Sequence, residues 1–172
     1  DIVRSAVSRN YRPSDVSVAP DGSLFIADWF DPVDCCHRTI NDAGRIFRLA
    51  PPKHAYAVPV HDYQTPAGAA KALRNPNLST RYKAWTALQA MGVRAWPALE
   101  KMAGDNNPRF RARALWALAA INDGTSRAIE MALADESENV RSLALRIARR
   151  HRLPVEPVVS RLVRDKSALV RR

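Results

Sequence analysis

The chain has 172 residues, a hydrophobic fraction of 47% and a formal charge of +10, set by 27 Lys and Arg against 17 Asp and Glu. That length allows one compact domain or two small ones. No apolar run reaches the roughly eighteen residues of a membrane-spanning helix, and Asp1-Ile2-Val3-Arg4 opens without the charged-then-apolar leader of a signal peptide.

From the N-terminus, Asp15-Val16-Ser17-Val18-Ala19 alternates with period two and predicts a strand. Pro20-Asp21-Gly22-Ser23 predicts a turn, Leu24-Phe25-Ile26-Ala27-Asp28 a second, more apolar strand, and Arg45-Ile46-Phe47-Arg48-Leu49 a third. Three antiparallel strands are marginal by themselves, so residues 1–50 are expected to form part of one blade of a β-propeller.

The loop Asp28-Trp29-Phe30-Asp31-Pro32-Val33-Asp34-Cys35-Cys36-His37 is the one dense group of candidate ligands. Asp28, Asp31 and His37 could hold a divalent cation or hydrogen-bond a sugar. The alternative is structural, with Asp28 capping a turn and Trp29 packing between blades. Haem attachment needs two thiols separated by two residues before the histidine, and Cys35-Cys36-His37 lacks the spacer. Adjacent cysteines can form a strained vicinal disulfide, bond to other chains or stay reduced.

Tyr11-Arg12-Pro13-Ser14-Asp15-Val16-Ser17-Val18-Ala19-Pro20-Asp21-Gly22-Ser23-Leu24-Phe25-Ile26-Ala27-Asp28-Trp29-Phe30-Asp31-Pro32, followed by Gly44-Arg45-Ile46-Phe47-Arg48-Leu49-Ala50-Pro51, is similar to the last propeller blade of a large family. That family is the membrane-bound dehydrogenases of planctomycetes and their relatives, whose propeller resembles that of the sorbosone and glucose dehydrogenases. The resemblance implies a longer, exported protein of the periplasm or cell envelope, with a quinone and calcium in the propeller, HEAT-like repeats after it and a c-type cytochrome domain carrying haem beyond Arg172. It places Asp28, Asp31 and His37 near the propeller mouth and assigns no catalytic residue or cofactor to this part of the chain. Relatives have two glycines before the matching histidine where Cys35 and Cys36 stand here.

Residues 51–64 carry Pro51, Pro52 and Pro59 and read as a stiff, extended linker. His54 and His61 lie in it without a ligand partner at close spacing, and His151 falls at the end of a predicted helix, where a cation suits the dipole.

Residues 65–172 are repetitive. Arg81, Arg111, Arg141 and Arg171 recur every thirty residues, Asp105, Asp135 and Asp165 keep the same step, and so do Ala84, Ala114 and Ala144. Leu73, Ala103, Leu133 and Val163 share one apolar phase, Trp85, Leu115 and Leu145 another, and Leu99, Ile129 and Val159 a third. A period of this length marks stacked supersecondary units. Tyr82, Trp85, Ala87, Leu88 and Met91 draw the apolar stripe of a first helix, repeated by Phe110, Ala114, Leu115, Leu118 and Ile121. A shorter second helix follows, as in residues 98–103 and 128–133, with Pro97 and Pro157 in its opening turn. Gly92, Asn122-Asp123-Gly124 and Arg152-Leu153-Pro154 are the breakers between the two.

These units resemble short HEAT-like repeats. The resemblance implies that the Asp and Arg ladders tie consecutive repeats together, the alternative being ligand contact. The fold class expected is thus α+β and mainly α: an α-solenoid of about three HEAT-like hairpins after a small antiparallel sheet, opening on half a repeat at residues 65–74 and continuing past Arg172.

Residues 1–66 hold 7 basic against 8 acidic residues, and residues 67–172 hold 20 against 9. An excess of this kind attracts nucleic acid, acidic glycans or anionic lipid, or is simply a solvated surface. With no phosphate loop, nucleophile elbow or Cys/His dyad in the sequence, the expected role is scaffold and interaction surface, toward a protein partner or neighbouring domains of the same chain. The rival is a nucleic-acid-binding module with Arg109, Arg113, Arg146 and Arg149 as contacts on a concave face.

Overall fold

A computed structural model describes residues 12–29 and 44–172. They fall into two compact units, the first drawn from the sequence up to Val60 with Pro76–Leu78, the second from His61–Asn75 and Ser79–Arg172.

In the first unit β1 (Pro13–Val18), β2 (Leu24–Asp28) and β3 (Arg45–Leu49) form an antiparallel sheet in sequence order. Val18 faces Leu24 and Leu24 faces Leu49 in the register, which shifts between Pro13 and Asp15. The first strand begins two residues earlier than its alternation predicts, because Pro13 still pairs with Asp28 across that irregularity. The β1–β2 turn closes through Ala19 N–H to the Ser23 carbonyl at 2.8 Å and Gly22 N–H to the Ala19 carbonyl at 2.9 Å. Gly22 sits at φ +87, a conformation that costs a residue with a Cβ. Ile26 and Ala19 are buried, whereas Val16 and Ile46 stay open to solvent. Residues 51–60 belong to this unit: Arg48 Nη1 donates to the His54 carbonyl at 3.1 Å, and Tyr56 meets Phe25 edge-on at 6.0 Å.

The second unit is helical. Helices α2 (Leu78–Met91), α4 (Pro108–Ala119) and α6 (Glu138–Arg150) are the first helices of successive hairpins; α1 (Pro66–Ala72), α3 (Trp96–Ala103), α5 (Gly124–Leu133) and α7 (Glu156–Leu162) are the second helices; and α8 (Ala168–Arg171) opens a further first helix. Helix α4 packs on α3, α5 and α6, and α6 packs on α5, α7 and α8. Local signals set the starts: Pro66 and Pro108 open their helices, where a missing N–H costs little, and Thr65 Oγ1 and Asn107 Oδ1 accept from Gly68 and Arg109 N–H.

One continuous core runs through these helices, with Leu88, Leu99, Leu115, Leu118 and Ile147 almost fully enclosed. Ala84, Ala114 and Ala144 have no exposed surface, and their short side chains let neighbouring backbones approach closely. The turns between first and second helices each need one residue with positive φ: Gly92 at 59, Asp123 at 62 and Arg152 at 55. The first of these turns is a 3-10 segment, Gly92–Ala95.

Several sequence expectations change in the packed chain. Tyr82, assigned to an apolar stripe, is 68% exposed and stacks on Trp85 with ring centroids 6.4 Å apart. Val159 and Val163 keep the apolar phases of Leu99 and Leu73 yet are exposed, while their counterparts Leu99 and Leu73 are buried. Trp29 is also largely exposed. Gly124 is no breaker: it begins α5 with its Cα against Leu118, and a Cβ there would lie 2.1 Å from the Leu118 carbonyl oxygen.

Candidate functional site

The most regular construction in the helical unit is a clamp that repeats with the sequence period. Arg111 is 5% exposed and uses its whole guanidinium. Its Nε and Nη2 donate to Asp135 Oδ2 and Oδ1, both at 2.8 Å, and Nη1 donates to the carbonyls of Asp105 and Asn106 at 2.9 and 3.1 Å. Arg141 repeats this with Asp165 at 2.6 and 2.8 Å and with the carbonyls of Asp135 and Glu136 at 3.0 and 2.8 Å. Arg171 Nη1 reaches the carbonyls of Asp165 and Lys166, and Arg81 Nη1 the Asn75 carbonyl at 3.5 Å. Asp105 is met by Arg74 Nη2 at 2.5 Å.

Each aspartate also accepts a backbone N–H two residues on: Asn107 for Asp105, Ser137 for Asp135 and Ser167 for Asp165. One carboxylate therefore shapes the turn into its own first helix and receives the arginine of the preceding repeat. The planar fork of arginine matches a carboxylate with two parallel bonds, which lysine cannot do. The Asp135 bond raises the Arg111 pKa and the Asp165 bond raises that of Arg141. Arg141 in turn holds the Asp165 carboxyl at about 2.

Second helices α5 and α7 border a groove of about 340 Å³. Ile129 and Leu133 line it from α5, Leu153 and Pro154 from the connection, and Pro157 and Val158 from α7. Arg161 Nη1 bonds both carboxylate oxygens of Glu130, at 2.8 and 2.7 Å, on its lining. Apolar walls with one paired charge suit an apolar side chain from outside.

In the sheet unit, Asp28 Oδ1 accepts the Arg12 backbone N–H at 2.6 Å. Asp31 and His37, with Cys35 and Cys36, lie outside the described residues. The better-connected acid is Asp21, which the sequence read only as part of a turn. It accepts from Ser23 N–H and Oγ and from Arg48 Nη2 at 3.0 Å, with His54 Nε2 at 3.3 Å. Those bonds, above all the Ser23 hydroxyl, hold its pKa far below the usual carboxylate range. Arg48 covers the Tyr56 ring at 5.4 Å. The signal available in the sequence was the Asp21-Gly22-Ser23 turn opposite a β3 arginine, which only the register joins.

Of the four arginines proposed to meet a polyanion, Arg109, Arg146 and Arg149 are exposed. Arg113 is committed inside the fold: Nη1 donates to the carbonyls of Leu73, Arg74 and Asn75 at 3.2, 3.0 and 3.4 Å, and its guanidinium lies over Phe110. Burial, with Arg81 and Arg109 nearby, lowers its pKa.

Residues 66–132, covering α1 to most of α5, match the family of HEAT repeats. Neither the curated proteins nor the solved structures gives a match to the chain. The helical hairpins of residues 66–132 are thus similar to HEAT repeats, and the described residues are mainly helical with a small three-stranded antiparallel sheet. No helix among the described residues is long and apolar enough to cross a membrane.

Proposed function

We propose that the helical part is a scaffold that presents a fixed surface to a protein partner or to neighbouring domains of the same chain, and that its hairpins stack as a solenoid. The observation that carries this is the repeated clamp. Arg111 and Arg141 each bind their own turn and the aspartate of the next repeat with four hydrogen bonds. A clamp of that kind fixes the offset between consecutive hairpins, and an extended surface of fixed shape is what stacked repeats supply. The match to HEAT repeats supports the same reading.

The groove between α5 and α7 is the part of that surface best suited to a protein partner, since it combines apolar walls with a charge pair able to orient a polar segment. The test is to identify partners of the full chain by crosslinking in its native host, then measure binding of the purified partner by calorimetry. A groove-filling variant, Ser126→Trp, is expected to weaken binding at least tenfold with an unchanged melting temperature. Full affinity in that variant would remove the groove from the interface.

The wider setting, an exported dehydrogenase-like protein with a propeller before these repeats, rests on the resemblance of residues 11–51. Recovery of the surrounding coding sequence tests it: further blades upstream and a Cys-x-x-Cys-His motif downstream support that setting, and their absence removes it.

A further inference from the structure

The two kinds of helix differ sharply in charge. First helices α2, α4 and α6 carry nine Lys and Arg and a single carboxylate, Glu138. Second helices α1, α3, α5 and α7 carry four and three. Glu138, whose carboxylate accepts the Ser167 hydroxyl and lies near Arg141, leaves these helices with eight positive charges in excess. Four of the nine, Arg81, Arg111, Arg113 and Arg141, are spent on backbone carbonyls or aspartates inside the unit. Lys83, Arg109, Arg146, Arg149 and Arg150 remain, all exposed.

Their phases place them on equivalent faces of their helices. At about 100° per residue, and with each repeat overlaid on its buried alanine (Ala84, Ala114, Ala144), Lys83, Arg109, Arg146 and Arg150 fall within about 60° of one another on the opposite face. Arg149 flanks them. On α6, Arg146, Arg149 and Arg150 are three and four residues apart, the spacing at which like charges on a helix repel. Helices α4 and α6 pack side by side, so their exposed faces adjoin.

A protein interface draws its energy from a desolvated apolar or aromatic centre, and these five positions hold cations of which none forms an ion pair among the described residues. Such a face suits a partner that is itself a dense, regular row of anions. We propose that the first-helix face binds the phosphodiester backbone of nucleic acid through Lys83, Arg109, Arg146, Arg149 and Arg150, without reading sequence. Arginine predominates on it, and guanidinium forks pair with phosphate oxygens. This inference is independent of the protein-partner reading, which concerns the second helices.

The test is fluorescence anisotropy of the full chain with a labelled DNA duplex of random sequence across a salt series. Five contacts predict a slope of log K against log[salt] of about −4.5, and a loss on the order of 10²- to 10³-fold between about 50 and 200 mM salt. The triple variant Arg146→Gln/Arg149→Gln/Arg150→Gln is expected to bind at least tenfold more weakly at low salt and to lower the slope by about 3. Arg109→Gln alone, whose side chain makes no hydrogen bond or ion pair among the described residues, gives the same direction if the triple variant fails to fold. Lys71→Gln/Lys101→Gln, on second helices α1 and α3, is expected to bind like the parent. Unchanged binding by the first-helix variants, equal loss in the second-helix control, or a slope near zero overturns the proposal. So does tighter binding of polyglutamate or of phosphatidylglycerol vesicles than of DNA, which would mark an acidic protein or a membrane as the partner.

Discussion

Replacing Arg111 with Met removes the fork that joins Asp135 to the Asp105 and Asn106 carbonyls and leaves most of the side-chain volume in place. The pair is enclosed, with side-chain exposures of 7% and 8%. Removing one partner of a buried pair costs 3–5 kcal/mol because the other charge stays desolvated, and a position this close to the surface belongs at the low end, about 3 kcal/mol. For a unit of this size that is a fall in melting temperature on the order of 10 °C. The comparison is Arg161→Ala, which removes a bidentate pair whose partners are 50% and 65% exposed and should cost no more than about 0.5 kcal/mol. Urea unfolding followed by far-UV circular dichroism measures both, and the cycle with Asp135→Asn isolates the coupling. Equal effects of Arg111→Met and Arg161→Ala, or a coupling under about 0.5 kcal/mol, would refute the idea that the clamp fixes one repeat against the next.

Other outcomes follow from the same packing. Gly124→Ala should cost about 2 kcal/mol, because its Cβ meets the Leu118 carbonyl; Gly92→Ala, with open space around it, should lose only about 1 kcal/mol for its φ of +59. Thermal melts of the two variants check the order. Leu118→Ala, at a fully buried site in the helical core, should cost about 3 kcal/mol in urea unfolding. Asp165 has a folded pKa of about 2 against an ordinary 3.8. Its contribution is therefore complete above about pH 4 and disappears as pH falls through 2. In acid titrations monitored by circular dichroism, Asp165→Asn should flatten the pH dependence of stability in that window, and an unchanged profile would assign the acid sensitivity elsewhere.

The thirty-residue period was legible because stacked units place equivalent side chains in equivalent surroundings, so Ala84, Ala114 and Ala144 report the same close helix contact. Proline and glycine punctuation located the hairpin turns to within a few residues. Tyr82 and Val163 misled for a common reason: periodicity gives the phase of a residue on its helix, while burial depends on what packs over that phase. The Asp21 network and the α5–α7 groove could not be read in advance, since each joins residues that only tertiary packing brings together.

By itself the sequence determined the repeat, its helical hairpins, the three strands and the concentration of positive charge after residue 66, all of which are properties of local spacing and composition. Only the tertiary structure decided which cations are spent. Arg113 looks like Arg109 in the sequence, yet three backbone carbonyls claim it, while Arg109 faces solvent. A charge is available to a partner when no internal acceptor lies within hydrogen-bond reach, and that distance is set by packing across repeats rather than by neighbours in the chain.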